Sequence, residues 1–179
     1  YPCIVWICGG AWQRMDKAAH LAYLGTLAQE GFVVASVEYR TSNEGTHPMQ
    51  LCDIKAAIRY LRAYAKRYRI NSEKFGVMGE SAGGYLTCMA ALDQDKKLDV
   101  GEYLEYSSQV QAACPWYPPT DASRFPYNDV EKAAMSPESQ LMGFNVMTHA
   151  QEAYENSPVS KVTPDAPPFL LIHGTKDST

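Results

Sequence analysis

Gly79-Glu80-Ser81-Ala82-Gly83-Gly84 lies between an apolar stretch, Lys74-Phe75-Gly76-Val77-Met78, and a helix-prone one, Tyr85 to Leu92. The order of strand, glycine-flanked serine and helix predicts a sharp strand-to-helix turn with Ser81 at its apex. Such a turn crowds the backbone, and a Cβ at Gly79 or Gly83 would collide with neighbouring chain. The turn lifts the Ser81 hydroxyl clear of the sheet, and the helix that starts there aims its first amides at developing negative charge. A bare Gly-x-Ser-x-Gly also suits a plain structural turn. A strand before it and a helix after it move the reading to a nucleophile.

Outward from that turn, strand-like and helix-like segments alternate. Cys3 to Cys8 is a near-continuous apolar run, as in a parallel strand buried on both faces. Asp16 can cap a helix reaching about Gln29, with Leu21, Leu24, Leu27 and Ala28 facing inward and Gly31 ending it. Phe32 to Val37 is the next strand. After a loop from Thr41 to Pro48, the spacing of Leu51, Ile54, Ile58, Leu61 and Ala65 predicts a helix from Met49 to Tyr68, with Lys55, Arg59, Arg62 and Lys66 on its solvent face. Gln111-Ala112-Ala113-Cys114 leads a further strand, and Phe169-Leu170-Leu171-Ile172 makes the last. The alternation predicts an α/β fold, a mainly parallel sheet with helices on both faces, whose site lies beyond the carboxyl ends of the strands. Residues 1–179 form one domain in this reading. The stretch 118–168, rich in Pro, Ser, Asn and aromatics, is a cap-like excursion with one or two short helices over the mouth of the site.

The chain has 179 residues, 46% hydrophobic and 20% charged, with a formal net charge of -4, ordinary values for one globular domain. The mild acidity and the absence of a basic patch beyond one helix face argue against a nucleic-acid partner. No apolar run approaches the roughly 20 residues that span a bilayer, so no membrane partner is expected. The five cysteines, Cys3, Cys8, Cys52, Cys88 and Cys114, are odd in number and lack metal-type spacing. They read as buried free thiols, which favours a reducing, cytoplasmic setting. Tyr1 is followed almost at once by a strand, and Thr179 comes just after another. Both ends are expected to be truncations of a longer polypeptide, with any targeting segment upstream.

A nucleophilic serine needs an oxyanion hole, a general base and an acid that orients the base. Cys8-Gly9-Gly10-Ala11-Trp12 follows the first strand directly, and its small residues let backbone amides come close to a substrate oxygen. Gly10, Ala11 and Ala82 are the candidate donors; the alternative for this loop is a plain glycine turn. The candidate acid is Asp177 in His173-Gly174-Thr175-Lys176-Asp177, with Asp121 of Pro118-Pro119-Thr120-Asp121 as runner-up, which could equally cap a helix. Asp53 reads as a surface carboxylate or a partner for a nearby cation. None of the four histidines, His20, His47, His149 and His173, follows Asp177. His173 closes a strand and reads as structural, and His149 could swing in from the excursion. The simplest expectation places the base beyond Thr179.

These residues resemble the α/β-hydrolase fold, in its esterase/lipase branch with a His-Gly-Gly-Gly/Ala-Trp hole and a Gly-Asp/Glu-Ser-Ala-Gly-Gly elbow. Within it the chain looks like the bacterial esterases related to bifunctional feruloyl and acetylxylan esterases. Pro158-Val159-Ser160 through Pro167-Pro168-Phe169-Leu170-Leu171-Ile172-His173-Gly174 resembles the segment before that family's acid. The resemblance implies a serine hydrolase of small-molecule carboxylic esters needing no cofactor and no metal. Ser81 would be the nucleophile, Asp177 the acid, and Gly10, Ala11 and Ala82 the oxyanion-hole donors. It also implies a base histidine a few tens of residues after the acid, and short acyl esters as substrates, such as acetyl groups on plant polysaccharide. An arylformamidase-like amidase, a prolyl-type peptidase or a non-catalytic binding protein are the alternatives on the same frame. The chain departs from the family pattern at Cys8, where the family's usual histidine braces the hole loop, and the excursion matches least well.

Overall fold

The computed structural model describes residues 1–177. Strands β1 (Cys3–Ile7), β2 (Val33–Val37), β3 (Phe75–Glu80) and β4 (Ala112–Trp116) form a parallel sheet in the order β2-β1-β3-β4. Ile7 pairs with both Val37 and Gly79, so the strands end level and the loops that follow them emerge along one edge. Val5, Trp6 and Ile7 are all buried, which is why this strand reads as a continuous apolar run.

Four helices come before β4: α1 (Leu21–Gln29), α2 (Met49–Ala63), the short α3 (Ala65–Tyr68) and α4 (Ala82–Leu92). The step from β1 to β2 runs one way along the sheet, and those from β2 to β3 and from β3 to β4 run the other. Right-handed crossovers therefore put α1 on one face and α2 and α4 on the other. The layering is that of an α/β sheet with helices on both faces. Helix α4 is apolar nearly all round, with Ala82 through Ala91 buried between the sheet and α2.

Three helix expectations change. Helix α1 starts at Leu21 because His20 adopts a left-handed backbone (φ 64), and Asp16 instead accepts the Ala18 amide in the preceding turn. Only Leu24 is buried and Leu27 half-buried, while Leu21 and Ala28 face outward. The long helix kinks at Tyr64, yet the Tyr64 N–H still donates to Tyr60 O and the Tyr68 N–H to Tyr64 O, so helical bonding continues across it. Lys55 and Arg59 do not face solvent: they are 2% and 0% exposed. The segment after α4 folds over them, and Arg59 donates to the Asp99 carboxylate (2.8 Å) and to the carbonyls of Val100 and Glu102. A buried guanidinium is tolerable when it is paired and hydrogen-bonded in this way. Arg62 likewise donates to the carbonyls of Ser72, Ser107 and Gln109.

The last expected strand is reduced to two parallel bridges, Ala113 with Phe169 and Trp116 with Ile172. The cause is Pro115. The Ala113 and Tyr117 amides donate to Pro168 O and Ile172 O, but Pro115, midway between them, has no N–H to offer Leu170 O. The excursion holds more helix than expected: α5 (Val130–Ala134), α6 (Pro137–Met142), α7 (Ala150–Glu155) and single 3₁₀ turns at Ala122–Arg124 and Pro158–Lys161. Its α-helices are five or six residues long, too short to show a periodic stripe, and local caps start two of them: Asp129 accepts from the Glu131 amide and Ser136 from that of Ser139. Among the described residues no helix is long and apolar enough to cross a membrane.

Candidate active site

Ser81 stands between β3 and α4 with φ 55 and ψ -121, a backbone conformation rarely adopted by residues other than glycine. Its amide donates to Trp116 O (3.0 Å) and its carbonyl accepts from the Tyr85 amide (3.0 Å), so the turn is fixed from both sides. The flanking glycines are required sterically. A Cβ on Gly79 would lie 2.5 Å from Ile7 O and 2.6 Å from Gly83 O, and one on Gly83 would run into Ile7 O and Cys8 O. Gly84 faces the same limit, 2.8 Å from Trp116 O. The helix is thereby drawn onto the ends of β1 and β4, with Ser81 held at the cleft.

The loop after β1 is braced by groups outside the glycine motif. The Gly9 amide donates to Glu80 Oε1 (2.9 Å), and the buried Tyr39 hydroxyl donates to Cys8 O (2.9 Å). The Gln13 and Arg14 amides close a tight turn onto Gly10 O, and Gly10 (φ 128), Ala11 (φ 55) and Trp12 (φ 56) all take positive φ. Cys8 packs as a buried apolar side chain, its thiol pushed up by burial, so Tyr39 and Glu80 do the bracing there. Among the described residues, the amides of Gly10, Ala11 and Ala82 donate to no protein acceptor.

Glu80 was part of the elbow motif on sequence, but its role was not legible there. Its Oε2 accepts from the Tyr117 hydroxyl (3.1 Å), and His20 Nε2 lies 3.7 Å from its Oε1. One carboxylate thus ties the loop after β1, the turn at Ser81 and the turn after β4 together. Burial, then the charge and hydrogen bond of Glu80, push the Tyr117 phenol up to about 12, so it remains a donor.

Ala11, Ser81, Ala82 and Asp177 line one cleft of about 420 Å³; Gly10 stands just behind Ala11, outside the wall. Asp121 is not in that wall. It accepts from the Ser123 amide and hydroxyl and pairs with Arg124, capping a 3₁₀ turn. Asp53 forms a bidentate pair with Arg40 (2.7 to 3.1 Å). His149 sits on the excursion, bonded to Thr148 and to Asn145 O, and His47 packs half-buried against Tyr85, its imidazole depressed to about 4 by desolvation. His20 packs edge-on to Trp6. His173, set aside on sequence, lines the cleft with its Nε2 3.2 Å from Asp177 Oδ2. Among the described residues no imidazole is hydrogen-bonded to Ser81 Oγ. Nor does any group of His, Cys, Asp and Glu among them have the arrangement to hold a metal ion.

The BD-FAE family model matches residues 1–179. The chain belongs to the BD-FAE family. A Mycobacterium tuberculosis relative named a probable carboxylic ester hydrolase, LipM, is 32% identical over 99% of this chain, which spans 41% of that relative's length. A bifunctional GH43-CE from Bacteroides eggerthii superposes with a TM-score of 0.91 at 32% identity, over 99% of this chain and 27% of that one. A truncated carbohydrate esterase from gut microbiota matches with the same TM-score and identity, over 100% of this chain and 68% of that one. The BD-FAE match therefore agrees with the α/β-hydrolase resemblance read from the elbow and the glycine loop.

Proposed function

We propose that this chain carries the nucleophile, acid and oxyanion hole of a serine carboxylic ester hydrolase. The observation that carries the reading is Ser81, held in a strained turn in the same cleft as Asp177 and the undonated amides of Ala11 and Ala82. In the proposed reaction the base takes the proton from Ser81 Oγ as the oxygen attacks the ester carbonyl. The amides of Ala11 and Ala82, with that of Gly10 behind them, hold the tetrahedral oxyanion. The alcohol leaves with the base's proton, and water then releases the acid from Ser81. The esterase names of the relatives support the reaction class, and the likeness to a carbohydrate esterase from gut microbiota supports an ester carried on carbohydrate.

Two readings of the base are open to one test. The family resemblance and the longer relatives support a histidine supplied by polypeptide following Thr179. The 3.2 Å pairing of His173 with Asp177 in the cleft wall favours His173 itself. Hydrolysis of 4-nitrophenyl acetate by the full-length protein, beside Ser81→Ala and His173→Ala, tests both. Turnover lost with Ser81 establishes the serine mechanism. An equal loss on His173→Ala assigns the base to it, and retained turnover assigns it to the following polypeptide. Turnover unaffected by Ser81→Ala would end the proposal.

A further inference from the structure

In the cleft that Ser81 lines, the excursion contributes a carboxylate that the proposed chemistry does not use. Glu138, in the first turn of α6, is 7% exposed and lines the cleft. Its Oε2 accepts a 2.6 Å hydrogen bond from the Tyr127 hydroxyl, while Oε1 has no partner among the described residues. The Tyr127 phenol is pushed up to about 12 by burial and then by this bond, so it stays a donor and fixes the carboxylate in place. No lysine or arginine is among the described residues that line the cleft, and Glu138 takes part in no ion pair there. Oε1 opens to the cleft, where a donor of a ligand can reach it.

The surroundings define that ligand. Phe125 and Tyr127 stack on each other with ring centroids 6.0 Å apart and planes 19° from parallel, and both line the cleft with Pro118, Pro126 and Pro137. An apolar wall beside a single fixed acceptor suits a sugar: its C–H groups lie on the wall and a hydroxyl donates to the carboxylate.

We propose that Glu138, held by Tyr127, is a specificity-determining residue that accepts a hydrogen bond from a free hydroxyl on the sugar bearing the scissile ester. This rests on the ester-hydrolase reading above. Water satisfies Oε1 in the open cleft. A bound substrate without a hydroxyl there displaces that water and leaves the carboxylate bare, which penalises it.

The test compares kcat/KM of the full-length protein on a monoacetylated methyl xyloside, its fully acetylated form, acetylcholine and 4-nitrophenyl acetate. The acetylated xylosides present the same sugar and differ in free hydroxyls. The wild type is expected to favour the monoacetylated sugar over the fully acetylated one at least tenfold. That ratio should collapse toward one in Glu138→Leu, be partly kept in Glu138→Gln, which retains an acceptor, and weaken in Tyr127→Phe, where the carboxylate is no longer fixed. Thermal melts of all three variants identify any that fail to fold, and the ratio is read from those that do. A ratio unchanged in Glu138→Leu overturns the proposal, as does a wild type that favours the fully acetylated sugar. A preference for acetylcholine that disappears in Glu138→Leu also overturns it, by assigning the carboxylate to a cation. Ser81-dependent hydrolysis of 4-nitrophenyl acetate without discrimination between the sugars overturns this inference alone. A protein inactive on every ester overturns it together with the hydrolase reading.

Discussion

The turn that carries Ser81 and the excursion that carries Glu138 line one cleft and are held by different means. Around Ser81 the fixing groups are mostly backbone: Trp116 O takes its amide, and Ile7 O and Cys8 O fill the space where side chains at Gly79 and Gly83 would be. In the excursion the fixing groups are mostly side chains: Tyr127 on Glu138, Asp129 and Ser136 at helix starts, and Ser157 Oγ accepting from the Ala122 amide. Backbone crowding tolerates only one residue type at a position. Side-chain bonding can be met by many sequences, so that wall is free to vary in what it recognises. The proposed nucleophile is thus held by backbone and the proposed selecting residue by side chains, within one cleft.

The largest expected effect separates the two carboxylates offered by the sequence. Asp177→Asn should lower kcat by about 10⁴-fold, as removing the orienting acid does in comparable triads. Asp121→Asn, which disturbs only a 3₁₀ cap, should leave kcat within twofold. Steady-state rates on 4-nitrophenyl acetate decide between them, and the reverse pattern would move the acid into the excursion.

Next comes the backbone itself. Gly79→Ala places a methyl 2.5 Å from Ile7 O and should cost about 3 kcal/mol of stability in urea unfolding. A cost below about 0.5 kcal/mol would show that the elbow is not crowded and would remove one side of the comparison.

His47 joins the two regions, since its amide donates to Leu141 O of α6 and its ring packs on Tyr85 of α4, whose hydroxyl donates to Asn156 O. Burial depresses its imidazole from 6.5 to about 4, opposed by the charge of Asp93 and aided by that of Lys161. Above pH 6.5 the ring is neutral whether folded or unfolded. Between 6.5 and 4 the unfolded chain takes a proton that the folded one refuses, so stability should fall by about 3 kcal/mol across that window as pH drops. Denaturant melts from pH 7 to 4 measure the slope, which His47→Gln should flatten. A slope unchanged in that variant would remove His47 from the seam.

The smallest expected effect is at Glu80. Glu80→Ala frees the Gly9 amide and the Tyr117 hydroxyl and should lower kcat by about 10 to 100-fold, a fraction of what losing a hole donor outright costs. Glu80→Gln, which keeps acceptor capacity, should recover part of it. Equal losses in both would indicate that the charge rather than the brace matters.

What could be read from the sequence follows the same division. Gly79, Ser81 and Gly83 between a strand and a helix, and Gly9-Gly10 after β1, are local patterns imposed by backbone sterics, so both turns are legible from spacing alone. Asp177 stands out because it follows the last apolar run, and its place in one cleft with Ser81 comes from the fold. The bracing by Tyr39, Glu80 and Tyr117 brings together residues at the ends of three separate strands, and no spacing reports it. Lys55 and Arg59 look like a solvent face because helical periodicity does not see the segment that later folds over them. Pro115 was visible, but its consequence depends on which side of β4 its missing N–H faces. No motif or spacing marks Glu138; the fold alone sets it beside Tyr127.

Ser81, if it is the nucleophile of this cleft, should react with a fluorophosphonate probe that labels activated serines. Applied to the full-length protein and located by peptide mass spectrometry, the probe is expected to label Ser81 alone and stoichiometrically, and the label should be lost in Ser81→Ala. Label at another residue, or none on protein that hydrolyses esters, would contradict it.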